Sequence, residues 1–482
     1  MKLNHQTHLK QIKEQGLKKI FPGKPRIAVG YASCGIAAGA DRVMRALEDE
    51  IKRRKLDVVF TKVGCIGYCT REPLVNVSIP DMPLVIYANV VPDDAKGIID
   101  TLIKNDVYRG KALCKIEKWD HITRGNVFEY GKGFNDVTHY ADVPFFSKQK
   151  KIILRNTGLI NPEDIEEYIA VGGFSALLTA LTAMTPEEII DEVLKARLRG
   201  RGGAGFPTGQ KWKLARNATG DKKYIICNAD EGDPGAYMNR NEMESDPCML
   251  LEGMVIGAYA IGASEGIIYI REEYPLAIKR LQNALKQLRA YGFLGKNILN
   301  SGFSFDITMV KGAGAFVCGE ETALISSIEG FTGRSRTRPP FPAEKGLWGK
   351  PTNINNVETW CNIPVIISRG GEWFTQTGTE TSTGTKVLSL VGKISQAGLA
   401  EIPFGTSLKT LVYDIGGGGV EGKRIKAVQT GGPSGGCIPA PYFESPIDYE
   451  SLTKLGSIMG SGGVVGVDED TCMVNTARYF VD

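Results

Sequence analysis

Hydrophobic and polar positions change rhythm three times along the chain. From Arg26 to about Ile103, short apolar runs ("RIAVGYA", "DVVFTKV", "PLVNVSI", "PLVIYANV") alternate with two helical segments. The first of these, Asp41 to Arg54, sets Val43, Leu47 and Ile51 on one face at i, i+4 and i+8. A polar connector dotted with aromatics follows, roughly Lys104 to Lys150, without clear periodicity. From about Lys151 to Gly370, strands ("KYIICNAD", "GIIYIR", "FDITMVKG") alternate with helices ("SDPCMLLEGMVIGAYAIGA", Tyr274 to Tyr291, "GEETALISSIEG"). Such alternation predicts a largely parallel sheet with helices on its faces. Within it, Thr185-Pro186-Glu187-Glu188 predicts a helix start, with an N-cap, Pro at N1 and a capping-box Glu at N3. From about Lys386 to Pro441, short strands with glycine turns ("IGGGGVEG", "TGGPSGG") predict a third, smaller domain.

Two apolar segments need separate treatment. Leu9, Ile12, Leu17 and Ile20 predict a short amphipathic N-terminal helix, expected to pack on a partner rather than on lipid. Lys10, Lys13, Lys18 and Lys19 interrupt any secretory apolar core there. The run from Met249 to Ile270 contains Glu252, Glu265 and four glycines, so it predicts a buried helix and a strand, not a membrane span.

Composition adds little except in glycine, with 58 residues, and in charge. A formal net charge of +4 over 482 residues gives no electrostatic footprint for nucleic acid. Ten cysteines follow no secreted-scaffold spacing, which favours a reducing compartment and a cytoplasmic location.

Four stretches carry candidate chemistry. "GRGGAGFPTGQKW" (Gly200 to Trp212) holds five glycines, so backbone N–H groups can converge on an anion beside Arg201 and Lys211. A helix precedes it where a dinucleotide fingerprint demands a strand. "CNADEGDPGAYMNR" follows a strand, which puts Asp230, Glu231 and Asp233 at the carboxyl end of the sheet, ready to accept hydrogen bonds from ribose, amide or ring N–H. In "GAGAFVCGEETALISSIEG", Gly312, Gly314 and Gly319 flank an expected short strand, and Glu320 and Glu321 open the next helix. In "RSRTRPPFPAEKGLWGKPTNINNVET", Arg334, Arg336 and Arg338 alternate ahead of a double proline, Phe341 offers a flat face, and Asn355 and Asn356 offer amides. Each stretch alone also suits an ordinary turn or a solvated acidic loop.

Together the four stretches resemble, nearly residue for residue, the NADH-binding FMN flavoprotein subunit of respiratory complex one. They equally resemble the beta-type subunits of NAD(P)-linked, sometimes electron-bifurcating, iron hydrogenases and formate dehydrogenases. The resemblance covers about Lys151 to Asp482. The membrane-bound ferredoxin:NAD oxidoreductases share the GGAGFPT loop but differ at "NADE". The resemblance implies an α/β fold in several parts. These are an N-terminal helical extension (1–25), a thioredoxin-like ferredoxin-type domain (26–115), a connector (116–150), a Rossmann-like FMN- and NAD(P)H-binding domain (151–370) and a β-grasp domain (371–450). A C-terminal helical region beginning at 451–482 is expected to stop before the family's 4Fe–4S site.

It also implies residue roles. Gly200, Arg201, Gly202, Gly203 and Lys211 would hold the FMN phosphate and ribityl chain. Asn228, Asp230 and Glu231 would line the flavin, with Gly319, Glu320, Glu321, Asn355, Asn356 and Thr359 completing the pocket. Phe206, Lys211, Asp233, Glu321, Arg338 and Phe341 match positions that meet NAD(H) or NADP(H). Hydride transfer then needs only nicotinamide and flavin stacked with reacting atoms about 3–3.5 Å apart, without a separate acid or nucleophile beyond Glu231 and Glu321 near the ring. All four histidines lie before these stretches.

The same family carries a 2Fe–2S cluster on four cysteines in the thioredoxin-like domain. Here Cys34, Cys65 and Cys69 match three of them, while Val29 stands at the fourth position; either Ser33 or an outside ligand substitutes there, or the domain is a degenerate one kept for docking. The expectation is at most a substoichiometric cluster. The implied function is an FMN-dependent NAD(P)H oxidoreductase (diaphorase) subunit of a redox complex, most like a hydrogenase beta subunit. It would pass single electrons to iron–sulfur partners, among them a hydrogenase or formate dehydrogenase catalytic subunit and a small thioredoxin-like 2Fe–2S subunit. A formate dehydrogenase or transhydrogenase flavin subunit, or a non-catalytic β-grasp ligand-binding or docking subunit, are the alternatives. NAD(H) is expected over NADP(H), with measurable use of NADP(H).

Overall fold

The computed structural model describes residues 5–121 and 127–481. Residues 1–4 of the N-terminal extension, 122–126 of the connector and Asp482 lie outside the described residues. Three sheets of four or five strands, beside one two-stranded pair, organise the described residues. The first contains β1 (Arg26–Gly30), β2 (Val59–Val63), β3 (Val75–Ser78), β4 (Leu84–Tyr87) and β5 (Ala112–Ile116), ordered β2-β1-β3-β4-β5. β1 and β2 are parallel, and the remaining pairs are antiparallel. Helices Ala40–Arg54 and Asp94–Ile103 pack beside each other and bury Val43, Leu47, Ile98 and Ile99 in its core.

The connector is not featureless. β6 (Lys118–Asp120) and β7 (Val127–Glu129) pair antiparallel, and its aromatics nest: Tyr140 stacks on Phe146 at 4.1 Å and Phe145 on Tyr68 at 4.0 Å. Those rings bind the first sheet to the third, a long-range role that leaves no periodicity along the chain.

The second sheet is the expected parallel one. β8 (Tyr224–Ala229), β9 (Glu265–Arg271), β10 (Asp306–Gly312) and β11 (Thr352–Asn356) run in the order β10-β9-β8-β11 with every neighbouring pair parallel. The chain therefore steps outward from β8 through β9 to β10, then returns to the other side of β8. The capping box at Thr185 and Glu188 forms, and the Pro247–Ile261 helix is buried on almost every side, as its apolar run requires. The expected strand in "GAGAFVCG" does not form. Phe316–Gly319 is a 3-10 turn, and glycines on both sides leave it no strand to pair with.

The third sheet contains β12 (Thr385–Gly392), β13 (Gly398–Pro403), β14 (Ile425–Thr430), β15 (Gly436–Pro439) and β16 (Gly463–Asp468), ordered β13-β12-β16-β14-β15. This corrects the expected boundary at 450. β16 is the central strand, parallel to β12 and antiparallel to β14, so the sheet closes only with residues assigned to the C-terminal region. Its glycine-rich sequence "GVVGVD" concealed it, because nothing local supplies a strand period. Helix Gly371–Thr375 packs on the helices Pro186–Lys195 and Val357–Arg369 of the second unit, and so belongs there.

The N-terminal helix His5–Ile20 forms, but its partner is this chain. Ile12 and Ile20 are buried beside the helix Ile165–Ala170, Lys19 pairs with Asp164 and Glu166, and a Cβ at Gly16 would meet the Glu166 carbonyl oxygen at 1.9 Å. Among the described residues, no helix is long and apolar enough to cross a membrane.

Candidate functional site

The reversal of strand order puts a crevice at the carboxyl ends of β8 and β11, where open parallel sheets bind ligands. Parallel register sets Asn228 level with Asn356. The Asn228 amide donates to the Gly319 carbonyl at 2.8 Å and its oxygen accepts from the Asp230 N–H at 3.1 Å, tying the "NADE" loop to the "GEE" turn. Asn356 caps the helix Val357–Arg369, accepting from the Glu358 N–H at 2.9 Å. One turn on, Thr359 Oγ1 accepts the Arg201 N–H at 2.8 Å and so holds the glycine loop over that helix start.

The glycines serve two purposes. Gly203, at φ +118°, lies where a Cβ would sit 3.0 Å from the Gly460 backbone, and a Cβ on Gly202 would lie 3.2 Å from Asn356 Cβ. Those two are bare because the chain itself comes close. Gly200 and Gly319 differ: a Cβ would meet only the Phe206 carbonyl oxygen at 3.5 Å and the Asp230 carbonyl oxygen at 3.7 Å. Space is left beside them. Phe206, Phe316 and Phe341 are large apolar side chains about half exposed on the same loops.

Charged groups converge next to this space. Lys211 Nζ is 2.7 Å from Glu321, and Arg338 lies 3.3 Å from Glu321 and 3.8 Å from Glu320. Glu320 acts as helix N-cap, accepting from Thr322 and Ala323 N–H groups. Burial pushes the Asp230 carboxyl up to about 6, with Arg271 opposing and Glu273 reinforcing the rise. Asp233 accepts from Ser461 Oγ at 2.7 Å, at the edge of the third sheet's loops.

Three residues expected to face the cofactor turn inward. The Arg201 guanidinium is fully buried, donating to the Arg199 and Thr383 carbonyls at 3.1 and 2.7 Å and lying 4.7 Å from the Phe404 ring centroid. It joins the second unit to the third, and only its backbone reaches the glycine loop's partner Thr359. The Glu231 carboxylate accepts from the Asn239 and Arg240 N–H groups at 3.0 and 3.1 Å and from Tyr274 OH at 3.2 Å, capping the helix Met238–Ser245; burial pushes it up. The Asn355 oxygen accepts from Trp212 Nε1 at 2.9 Å and Asn353 Nδ2 at 2.7 Å. Each of the three is buried and bonded to partners inside the fold, as buried polar groups generally are.

Two neighbouring hollows were not legible in the sequence. One, of about 790 Å³, is lined by Gly202, Gly203 and Asp233 together with Tyr449, Lys454 and Ser461 of the third unit. Tyr449 OH donates to the Gly200 carbonyl at 2.8 Å and fixes its wall. The other, of about 490 Å³, lies beside the "RPPFP" loop between Phe331, Trp348, Arg336 and Thr322. The exposed aromatics were the only local signal for it.

Cys34, Cys65 and Cys69 do come together, their Sγ atoms all within 4.8 Å of one another. Ser33, one of the substitutes considered for the fourth ligand, does not join them: its Oγ donates to Glu244 at 2.6 Å, and Val29 is fully buried within β1.

Residues 193–365 match the Nuo51 FMN-binding domain. The chain is 57% identical over 335 residues to the NADP-reducing hydrogenase subunit HndC of Solidesulfovibrio fructosivorans, covering 70% of this chain and 68% of that protein. It is 46% identical over 331 residues to an NADH-quinone oxidoreductase subunit of Rhizobium meliloti, covering 69% and 79%. An NAD+-reducing NiFe-hydrogenase structure in the air-oxidised state superimposes with a TM-score of 0.58 at 25% identity, covering 95% of this chain and 71% of that one. By these matches the chain belongs to the FMN-binding flavoprotein subunits of NAD(P)H-linked oxidoreductase and hydrogenase complexes.

Proposed function

We propose that the β8–β11 crevice holds FMN and that a reduced nicotinamide docks against it from the side of Phe206 and Phe341. The observation that carries this reading is the pairing of Asn228 with Asn356 at the switch point, beside the open space at Gly200 and Gly319. Amides suit a ring that both donates and accepts hydrogen bonds, and bare glycines let a planar group and a phosphate approach backbone N–H groups. When bound, FMN supplies a two-electron acceptor for the nicotinamide hydride that can release electrons singly.

The chain's own side chains position and exclude. Lys211 brings positive charge to the glycine loop, with Glu321 holding its ammonium in place. Phe206, Phe316 and Phe341 offer apolar faces that shed water when a planar ligand covers them. Glu231 and Arg201 fix the loops from beneath. The domain reading follows the sheets: a thioredoxin-like first unit, a Rossmann-like flavin unit, and a β-grasp third unit whose sheet extends to Asp468. The protein would act in the cytoplasm within a complex whose iron–sulfur subunits take the electrons.

NAD(H) is the better-supported dinucleotide. Arg336 pairs with Glu329, and Arg338 with Glu320 and Glu321, so two of the three loop arginines are already matched by carboxylates. The similarity to an NADP-reducing hydrogenase subunit favours the other reading, and kcat/KM for NADH and NADPH separates them. The central experiment loads the full chain with FMN and measures NADH-dependent ferricyanide reduction. Turnover lost in Lys211→Ala supports the assignment; a wild-type protein saturated with FMN that shows no turnover refutes hydride transfer.

A further inference from the structure

The cysteine triangle lies where three units of the chain meet. The Cys65 N–H donates to Ser245 Oγ of the second unit at 3.1 Å, and the Gly67 carbonyl accepts the Leu399 N–H of the third at 2.7 Å. Tyr237 OH donates to Cys69 Sγ at 3.5 Å, and the Gly67 N–H to Cys65 Sγ at 3.3 Å. A fourth donor stands beside them. Glu72, 6% exposed, places Oε1 3.7 Å from Cys34 Sγ, while the Leu74 N–H anchors its other oxygen at 2.8 Å. Gly30 and Gly35 make room for it, since a Cβ on either would lie 3.1 Å from Glu72 Oε2.

The 2Fe–2S cluster that the family resemblance implies does not fit these residues. A binuclear cluster spreads four thiolates as two pairs over two irons. Here the fourth family position is Val29, whose side chain belongs to the core of the first sheet. The remaining three sulfurs form one compact triangle with no second pair. Ligands about 2.3 Å from a single tetrahedral ion are separated by roughly 3.8 Å. The three sulfurs lie within 4.8 Å of one another, and Glu72, 3.7 Å from Cys34 Sγ but outside that triangle, would swing its carboxylate toward the other two sulfurs to complete the set.

We propose that Cys34, Cys65, Cys69 and Glu72 form a closed, structural site for a single divalent ion of the zinc or ferrous class, clamping the first unit onto the second and third. Three thiolates and a carboxylate leave the site with excess negative charge. Arg240, 5.2 Å from the Tyr237 ring centroid, and Lys151, whose Nζ donates to the Ile66 carbonyl at 2.6 Å, stand close enough to offset it.

The test uses the full chain purified after growth with added zinc or iron. Elemental and acid-labile sulfide analysis should give about one metal per chain and no sulfide. Cobalt substituted for that metal should show the intense absorption of a tetrahedral thiolate site. Glu72→Gln and Glu72→Ala should weaken metal retention at least about tenfold and alter the cobalt spectrum, while Glu72→Cys should retain metal and shift the thiolate band. Metal removal should lower the melting temperature of wild type and leave Cys65→Ser unaffected. Two irons with matching sulfide, an unchanged cobalt spectrum in both Glu72 variants, or a chain that takes up no metal would each overturn the proposal.

Discussion

Asp230 and Asp233 show how single side chains at this crevice can be read as measurements. Burial raises the Asp230 carboxyl to about 6 in the folded chain, against about 3.9 when unfolded. The unfolded chain therefore loses this proton first, so the stability that Asp230 contributes is complete below about pH 4 and falls as pH rises through 6. Without ligand, melting curves at pH 5 and pH 7 should show wild type losing ground to Asp230→Asn as pH rises. Asp233 is held by Ser461 and lines the larger hollow, where, with the dinucleotide docked as proposed, its charge would disfavour an extra phosphate. Asp233→Asn should raise the ratio of kcat/KM for NADPH over NADH by about tenfold, the size of a screened charge pair several ångströms apart. Steady-state kinetics with both dinucleotides checks this, and Arg338→Ala should lower the ratio.

Helices and loops frame those residues. The helix Pro186–Lys195, ahead of the glycine loop, starts at a complete capping box, with Glu188 N–H to Thr185 Oγ1 at 3.3 Å and Thr185 N–H to Glu188 at 2.7 Å. Thr185→Ala should cost about 1 kcal/mol, read as a shift in the denaturant midpoint. The glycine loop is more exacting. Gly203→Ala forces a side chain into positive φ against the Gly460 backbone, so the loop must shift away from the third unit. FMN retention on gel filtration should fall in that variant, while the far-ultraviolet circular dichroism stays that of wild type. Gly292→Ala, whose Cβ meets nothing, is the control for positive φ alone.

At the scale of the whole molecule, buried charges join the units. Lys386 on β12 pairs with Glu358, in the first turn of the helix that Asn356 caps, and both are almost fully buried. Glu358 also accepts the Val387 N–H at 3.0 Å. Glu401 on β13 takes the N–H groups of Ile152, Ile153 and Leu154 and the Thr385 hydroxyl, pinning the entry to the second unit. Lys386→Met strands a carboxylate in the interior and should cost about 3–5 kcal/mol in chemical denaturation. Adding Glu358→Leu should recover much of that loss, since removing both charges removes the desolvation cost as well.

The sequence by itself determined the elements whose signals are local. The capping box, the amphipathic helix Ala40–Arg54, the alternation that builds the parallel sheet and the four motif stretches all carry their information within a few neighbouring residues. It also marked Asn228, Gly319 and Asn356 as belonging together through the family resemblance of the motif stretches, while their actual approach, Asn228 level with Asn356 and bonded to Gly319, came from the fold. Only the tertiary structure decided which way side chains face. Arg201, Glu231 and Asn355 turn inward because each meets a buried partner far along the chain, at Thr383, Tyr274 and Trp212. The same holds for β16, whose glycine-rich run becomes a central strand through its partners β12 and β14. Glu72 likewise gained its meaning only when folding set it beside Cys34, 38 residues earlier in the chain, since a carboxylate next to a proline says nothing about a thiol so distant in sequence.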